Sequence, residues 1–287
     1  MASSSQKQIP AHGEALAFEK QSRLFESLRA IDSLLVAFSG GADSAYLAWA
    51  AHQAIGERAL AITALSASFS AHDREQAHAL VRATAIRHEF IETREFENPR
   101  YVANNADRCY FCKDELFDRM ESIAAERRFS TIAYGVNADD TRDFRPGHRA
   151  AHEHRVLAPL LDAQLHKEEI RLLSRYAGLP TWDRPASACL SSRVPYGTPV
   201  TPELLRRIEA GEAALRELGF RQFRVRAHST NGELARIELS PEEFERGLDP
   251  ELARRIAHQL KNAGFTFVAL DLEGYRQGSL NSLLKLK

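Results

Sequence analysis

At 287 residues the chain is long enough to bury a substantial core and is expected to hold two domains. Hydrophobic residues make up 44% and charged residues 27%, which excludes a fibrous or intrinsically disordered class. A net charge of −1 and a pI near 6.8 exclude broad electrostatic attraction to nucleic acid or to a membrane surface, though not a local basic patch. Met1 to Gly13 is polar and lacks the apolar segment of a secretion signal, so a disordered tail is expected over residues 1–20. No apolar run reaches transmembrane length. Three cysteines are an odd number and suit a disulfide scaffold poorly, and the cytoplasm is the expected location.

In chain order, residues 34–38 form a short apolar run of the kind that becomes a strand buried on both faces of a parallel sheet. Ser39-Gly40-Gly41-Ala42-Asp43-Ser44 follows, and then an alanine-rich segment that suits a helix. Without Cβ atoms, Gly40 and Gly41 allow backbone and anion to approach closely, and N–H groups at the helix start point at a bound phosphate. Ser39 and Ser44 add hydroxyl donors, and Asp43 is placed to hold a Mg²⁺. The lysine of the common phosphate loop is absent, which suits the pyrophosphate part of ATP. Strand, Ser-Gly-Gly-x-Asp-Ser and helix in this order resemble the PP-loop ATP pyrophosphatases. That resemblance implies adenylation of a substrate followed by displacement of AMP.

Further strands are expected at 58–65, 88–92, 131–135 and 155–161, with helices at 71–86, 114–125 and 167–177. Gly178 and Pro180 supply a stop signal for the last of these. Alternation of strand and helix argues for a doubly wound parallel α/β domain over residues 21–185. Ligands in such sheets gather at the strands' carboxyl ends, which groups residues 39–44, 66–68 and 135–140 around one crevice. Residues 186–287 read as a smaller α+β domain. Thr201 caps a helix that Gly219 ends, Asn231-Gly232 marks a hairpin, and a helix at 250–262 leads to a strand at 265–272.

Cys109 and Cys112 stand just before a predicted helix, a position that favours low-pKa thiolates in a chelating pair. Spacing alone leaves a cluster, a zinc site completed by His148, His152 or His154, and unligated cysteines equally open. Cys189 lies where the first domain hands over to the second, in Pro185-Ala-Ser-Ala-Cys-Leu-Ser-Ser-Arg193, with Ser191, Ser192 and Arg193 as anion-binding groups. Arg224 and Arg226 alternate along a strand and share a face suited to a phosphate, or simply to solvent.

With these segments, Asp143-Phe-Arg-Pro-Gly and residues 270–281, the chain resembles the LarE family of ATP-dependent sulfur transferases. The resemblance covers nearly everything after about residue 25. It implies a small nucleotide substrate, a pyridinium-dicarboxylate mononucleotide whose carboxylates become thiocarboxylates. It also implies that Ser192, Arg224 and Arg226 hold the substrate phosphate and that Glu212 occupies an acidic active-site position. Members that sacrifice one cysteine carry it three residues ahead of the first serine of Ser-Ser-Arg, where this chain has Ala188. The chain instead resembles the three-cysteine form, in which Cys109, Cys112 and Cys189 hold a [4Fe–4S] cluster that receives sulfur from sulfide or another donor. A homo-oligomer is expected, with no nucleic-acid or membrane partner. The rivals are a tRNA 2-thiolation enzyme, an ammonia-using PP-loop ligase and a non-catalytic nucleotide-binding module. The chain has no zinc-ribbon pairs or strongly basic segment for RNA.

Overall fold

The structure, a computed structural model, describes residues 11–142, 146–184, 188–228, 233–276 and 278–280. It opens with α1 (Ala11–Arg29), followed by β1 (Leu34–Ala37), α2 (Ala42–Ile55), β2 (Ala59–Leu65), α3 (Ala71–Thr84) and β3 (His88–Glu92). Next come α4 (Pro99–Val102), α5 (Arg108–Arg127), β4 (Thr131–Tyr134), α6 (Pro146–Glu153), α7 (Pro159–Asp162) and α8 (Lys167–Tyr176). The four strands form one all-parallel sheet in the order β3-β2-β1-β4.

Successive β1 residues point to opposite faces and therefore feed two cores. Leu34 and Val36 pack with Leu24 and Leu28 of α1, Tyr46 and Leu47 of α2, and Ile170 and Leu173 of α8. Leu35 and Ala37 pack on the other side with Leu116, Phe117 and Met120 of α5 and with Ala150 and Ala151 of α6. This is the doubly wound α/β class that strand–helix alternation predicts.

Two expectations change. The tail expected to residue 20 is helical from Ala11, because Ala17, Leu24 and Leu28 share a buried stripe and Lys20 Nζ reaches Glu169 at 2.7 Å. The strand expected at 155–161 is reduced to a single parallel bridge between Leu157 and Ala133. Pro159, which has no N–H for a ladder, starts α7 instead.

The second sheet contains β5 (Phe223–His228), β6 (Leu234–Leu239) and β7 (Phe267–Leu270), in the order β5-β6-β7. The β5–β6 pair is antiparallel and β6–β7 is parallel. The helices of this part are α9 (Pro202–Glu217), α10 (Pro241–Gly247) and α11 (Pro250–Asn262). Phe223, Val225 and Ala227 of β5 pack with Leu205, Ile208 and Leu215 of α9 and Leu260 of α11. Thr201 caps α9 by accepting the Leu204 N–H at 3.2 Å, and Gly219 sits at φ +85° beyond its end. The Asn231-Gly232 turn, residues 143–145 and 185–187, and Asn281 lie outside the described residues. Among the described residues, no helix is long and apolar enough to cross a membrane.

Candidate functional site

The strand order reverses beside β1, since β2 lies on one side of it and β4 on the other, and this switch point opens a crevice at the carboxyl ends. Ser39 to Ser44 turn there from β1 into α2. Gly40 takes φ +76°, a left-handed conformation that glycine adopts without strain. The Ser44 hydroxyl donates to the Gly41 carbonyl at 3.1 Å and accepts the Ser39 N–H at 3.2 Å, while the two serine hydroxyls meet at 3.1 Å. These bonds hold the turn's shape and leave the first N–H groups of α2 pointing out of the helix.

Gly135, after β4, comes close to this turn. A Cβ there would lie 2.7 Å from both the Cα and the N of Ser44, which are backbone atoms unable to swing aside. Gly135→Ala is expected to cost about 1–3 kcal/mol through overpacking, read as a lower Tm with an unchanged far-UV spectrum.

Asp43 faces the same crevice. Its Oδ2 accepts the Asn137 side-chain N–H at 3.1 Å, while Oδ1 is buried without a hydrogen-bond partner. Burial raises its pKa, Lys167 opposes this, and Asp140 adds to it. A buried carboxylate with an orphaned oxygen and a second carboxylate nearby fits a Mg²⁺.

Two basic groups near the loop were not singled out in the sequence. Arg184 donates to the Gly40 carbonyl at 2.7 Å and to Asp73 Oδ1 at 2.6 Å, and Lys167 acts on Asp43. Neither carries a spacing signal, because each reaches the loop from a different part of the chain.

Cys109 and Cys112 lie inside the first turns of α5 rather than ahead of the helix, since α5 begins at Arg108. Cys189 stands at the N-cap of the 3-10 turn Leu190–Arg193. All three are unbridged, and Cys109 and Cys189 are exposed. Two segments some eighty residues apart meet here. The Tyr101 and Ser191 hydroxyls lie 2.8 Å apart, and Asn104 Nδ2 donates to the carbonyls of Pro195 and Thr198 at 2.8 and 2.9 Å. Arg108 donates to the Ser191 carbonyl at 2.7 Å. A further tie runs to the loop after β2, where the Ser68 carbonyl accepts the Leu190 N–H at 2.9 Å.

Hydrogen bonds thus tie together the two segments that carry the three thiols. Burial pushes the Cys112 thiol well up, and the Glu95 carboxylate and the other two cysteines add to it. The expectation of two low-pKa thiolates therefore fails at Cys112, where desolvation outweighs the helix dipole. Three unbridged thiols from two segments fit a [4Fe–4S] cluster in donor chemistry.

Of the histidines weighed for zinc, His154 sits in an acidic group instead. Among the described residues, the compact set of metal-type donors is Asp118, Glu121 and His154, with ligand atoms within 4.8 Å of one another and no cysteine among them. His154 bonds Glu121 at 3.0 Å and Asp114 at 3.2 Å, and the His148 ring rests against Tyr134.

Glu212 is buried in α9 and fully engaged. It takes the Arg193 Nε at 2.8 Å and Nη2 at 3.1 Å, and Arg216 at 3.5 Å. Burial works against its charge, but Arg193 wins and lowers its pKa, and in turn Glu212 raises that of Arg193. Arg193 Nη1 holds the Cys189 carbonyl at 2.9 Å and also bonds the Ala188 carbonyl and the Ser192 hydroxyl. The Glu212–Arg193 pair thus fixes the backbone that carries Cys189, and Arg193 is a clamp rather than the expected anion ligand.

Arg224 and Arg226 share a face of β5, but their surroundings differ. Arg226 pairs with buried Glu238 at 2.8 Å and donates to the Ser192 carbonyl at 2.7 Å, with its Nε left unpartnered. Arg224 contacts the Phe223 carbonyl at 2.9 Å and the Tyr275 hydroxyl at 3.4 Å, and its guanidinium lies over the Tyr275 ring. Burial and the neighbouring Arg193 charge lower its pKa. A third cation packed this way is eased by an incoming anion.

A parallel sheet with a glycine turn at its switch point, joined to a small second sheet domain, defines a PP-loop, Rossmann-like α/β protein. No family profile matches the chain. An uncharacterised protein of Synechocystis sp. is 44% identical over 254 residues, covering 88% of this chain and 94% of that one. The pyridinium-3,5-bisthiocarboxylic acid mononucleotide synthase of Lactiplantibacillus plantarum is 33% identical over 267 residues, covering 92% of this chain and 95% of the synthase. An uncharacterised protein of Methanocaldococcus jannaschii is 27% identical over 177 residues, 62% of this chain and 67% of that one. The chain belongs to the LarE family.

Proposed function

We propose that the chain is a cytoplasmic ATP-dependent sulfur transferase. Its substrate is pyridinium-3,5-biscarboxylic acid mononucleotide, and its sulfur is presented on a [4Fe–4S] cluster held by Cys109, Cys112 and Cys189. The reading is supported by three unbridged cysteines on two segments that hydrogen bonds tie together, in a chain whose relative is named a bisthiocarboxylic acid mononucleotide synthase.

A substrate carboxylate oxygen attacks the α-phosphorus of ATP, the bond to pyrophosphate breaks, and an acyl adenylate forms. Sulfur then bonds to the acyl carbon, and AMP leaves with the former carboxylate oxygen. Gly40, Gly41 and the first N–H groups of α2 receive the departing pyrophosphate, and Ser39 and Ser44 keep the turn in shape. Asp43 would hold a Mg²⁺, which when bound neutralises the phosphates. When bound, the cluster supplies an iron without a protein thiolate, open to exchangeable sulfur. Ser192, Arg224 and Arg226 face the substrate phosphate, while Glu212 acts through Arg193 on the Cys189 backbone.

The test is anaerobic purification with iron and sulfide analysis, followed by assays of substrate-dependent pyrophosphate release and of the thiocarboxylate product by mass. Iron-containing protein that forms thiocarboxylate supports the reading. Iron-free protein whose pyrophosphate release depends on tRNA instead would point to RNA thiolation.

The two β5 arginines should separate. Arg224→Ala is expected to weaken mononucleotide binding by roughly 1.5–3 kcal/mol, the scale of a charge-assisted contact, with Tm and ATP affinity little changed. Arg226→Ala should also lower stability by about 3 kcal/mol, since it strips one partner from buried Glu238. Calorimetric binding and thermal melts check both.

A further inference from the structure

Four basic side chains are buried among the described residues: Lys20, Arg108, Arg193 and Arg226. Lys20 pairs with Glu169, Arg193 with Glu212 and Arg226 with Glu238. Arg108, only 4% exposed, makes no ion pair with a carboxylate among the described residues. Its Nη1 donates to the Asn104 side-chain oxygen at 2.6 Å and to the Ser191 carbonyl at 2.7 Å, both neutral. Its Nη2 points at Cys109 Sγ, 3.8 Å away. The buried carboxylate of this region, Glu95, accepts from the Ser68 hydroxyl at 3.3 Å.

A buried cation lacking a counter-charge is costly, and chains retain one where an anion arrives to balance it. Here the group facing Nη2 is the Cys109 sulfur.

Resting on the proposed function above, we infer that Arg108 is the anion-holding residue of the sulfur site: its buried guanidinium, beside Cys109 Sγ and bonded to the segment that carries Cys189, binds the small anionic sulfur species that docks there. The same group has a second, structural duty, because it staples residues 104 and 191. The two roles separate experimentally. Charge controls the reduction potential and sulfide affinity of the site, whereas the staple controls its stability.

The experiment uses anaerobically reconstituted full-length protein titrated with sodium sulfide, with the absorbance change and the midpoint potential as readouts. Arg108→Gln should bind sulfide about tenfold more weakly and shift the midpoint to more negative values, because a cation that favours the reduced state is gone. Arg108→Lys, which keeps the charge and loses the fork, should recover both to within about threefold in affinity. Tyr101→Phe breaks the neighbouring Ser191 bond without touching charge and should leave both readouts at wild-type values.

Wild-type affinity and potential in a reconstituted Arg108→Gln would overturn the inference, as would an equal loss in Tyr101→Phe. If Arg108→Gln does not fold, Arg108→Lys decides: near-wild-type sulfide binding supports the charge role, and a tenfold loss with the fold intact overturns it. A wild-type protein that takes up no iron overturns the cluster reading itself and this inference with it.

Discussion

Alanine at Cys109, Cys112 or Cys189 is expected to abolish both cluster uptake and sulfur transfer, a loss of all measurable thiocarboxylate. The physical basis is the donor count. The chain has three cysteines, and a cubane that loses one of three thiolates is left with two anchored irons. The Cys109 and Cys189 variants should still fold, because both side chains are exposed, whereas Cys112→Ala should also lower Tm, because Cys112 packs against the second core. The companion measurement is the intact mass of the wild-type chain after turnover with sulfide supplied. It should be unchanged over many turnovers. A sacrificial route would convert Cys189 to dehydroalanine, lighter by one H₂S, and would stop after one transfer per cysteine. Mass loss at Cys189 with activity retained in Cys109→Ala would return the chain to the sacrificial type.

The second large effect falls on Asp43, where activity and stability should move in opposite directions. Asp43→Asn should reduce pyrophosphate release by about three orders of magnitude, the scale of losing a metal-linked electrostatic contact worth several kcal/mol. In the absence of ligands, however, the variant should melt higher than wild type at neutral pH. Burial raises the Asp43 pKa, so the folded state binds its proton more tightly than the unfolded chain does. The stability tied to that group is fully present below the ordinary carboxylate value of 3.8 and is lost as pH rises through the raised folded value. Asparagine removes the charge and with it that loss. Thermal melts of both proteins between pH 4 and pH 8 should therefore converge at the acid end and diverge toward neutrality, with the variant higher. An Asp43→Asn protein that melts lower at pH 7 yet releases pyrophosphate at the parental rate would make Asp43 a structural residue.

Much of this protein is written locally. The apolar run into Ser39-Gly40-Gly41, the left-handed Gly40 turn and the alanine-rich start of α2 depend on neighbours within a few residues, so their chemistry is legible in order. The same holds for the Thr201 cap, the Gly178 and Gly219 stops, and the strand–helix alternation that defines the parallel sheet. Family resemblance extends the reading to residue types such as Glu212 and Arg224, but it conveys nothing about which charges neutralise one another.

That was decided by tertiary structure, because electrostatic balance is set by groups distant in sequence. Arg226 and Glu238 are twelve positions apart, Arg193 and Glu212 nineteen, and Arg108 and Ser191 eighty-three. No periodicity in the chain reports such pairs. The helix start at Arg108 rather than 114, and the helix that replaces the expected tail, have the same origin. Their polar segments read as loop until packing supplies partners, Phe111 against the second core and Ala17 against the first. Sequence alone therefore set the elements and the list of reactive residues. The fold decided which thiol is half-buried, which carboxylate is left with an orphaned oxygen, and which guanidinium faces sulfur rather than a carboxylate, since desolvation and pairing exist only once distant segments exclude water from between them.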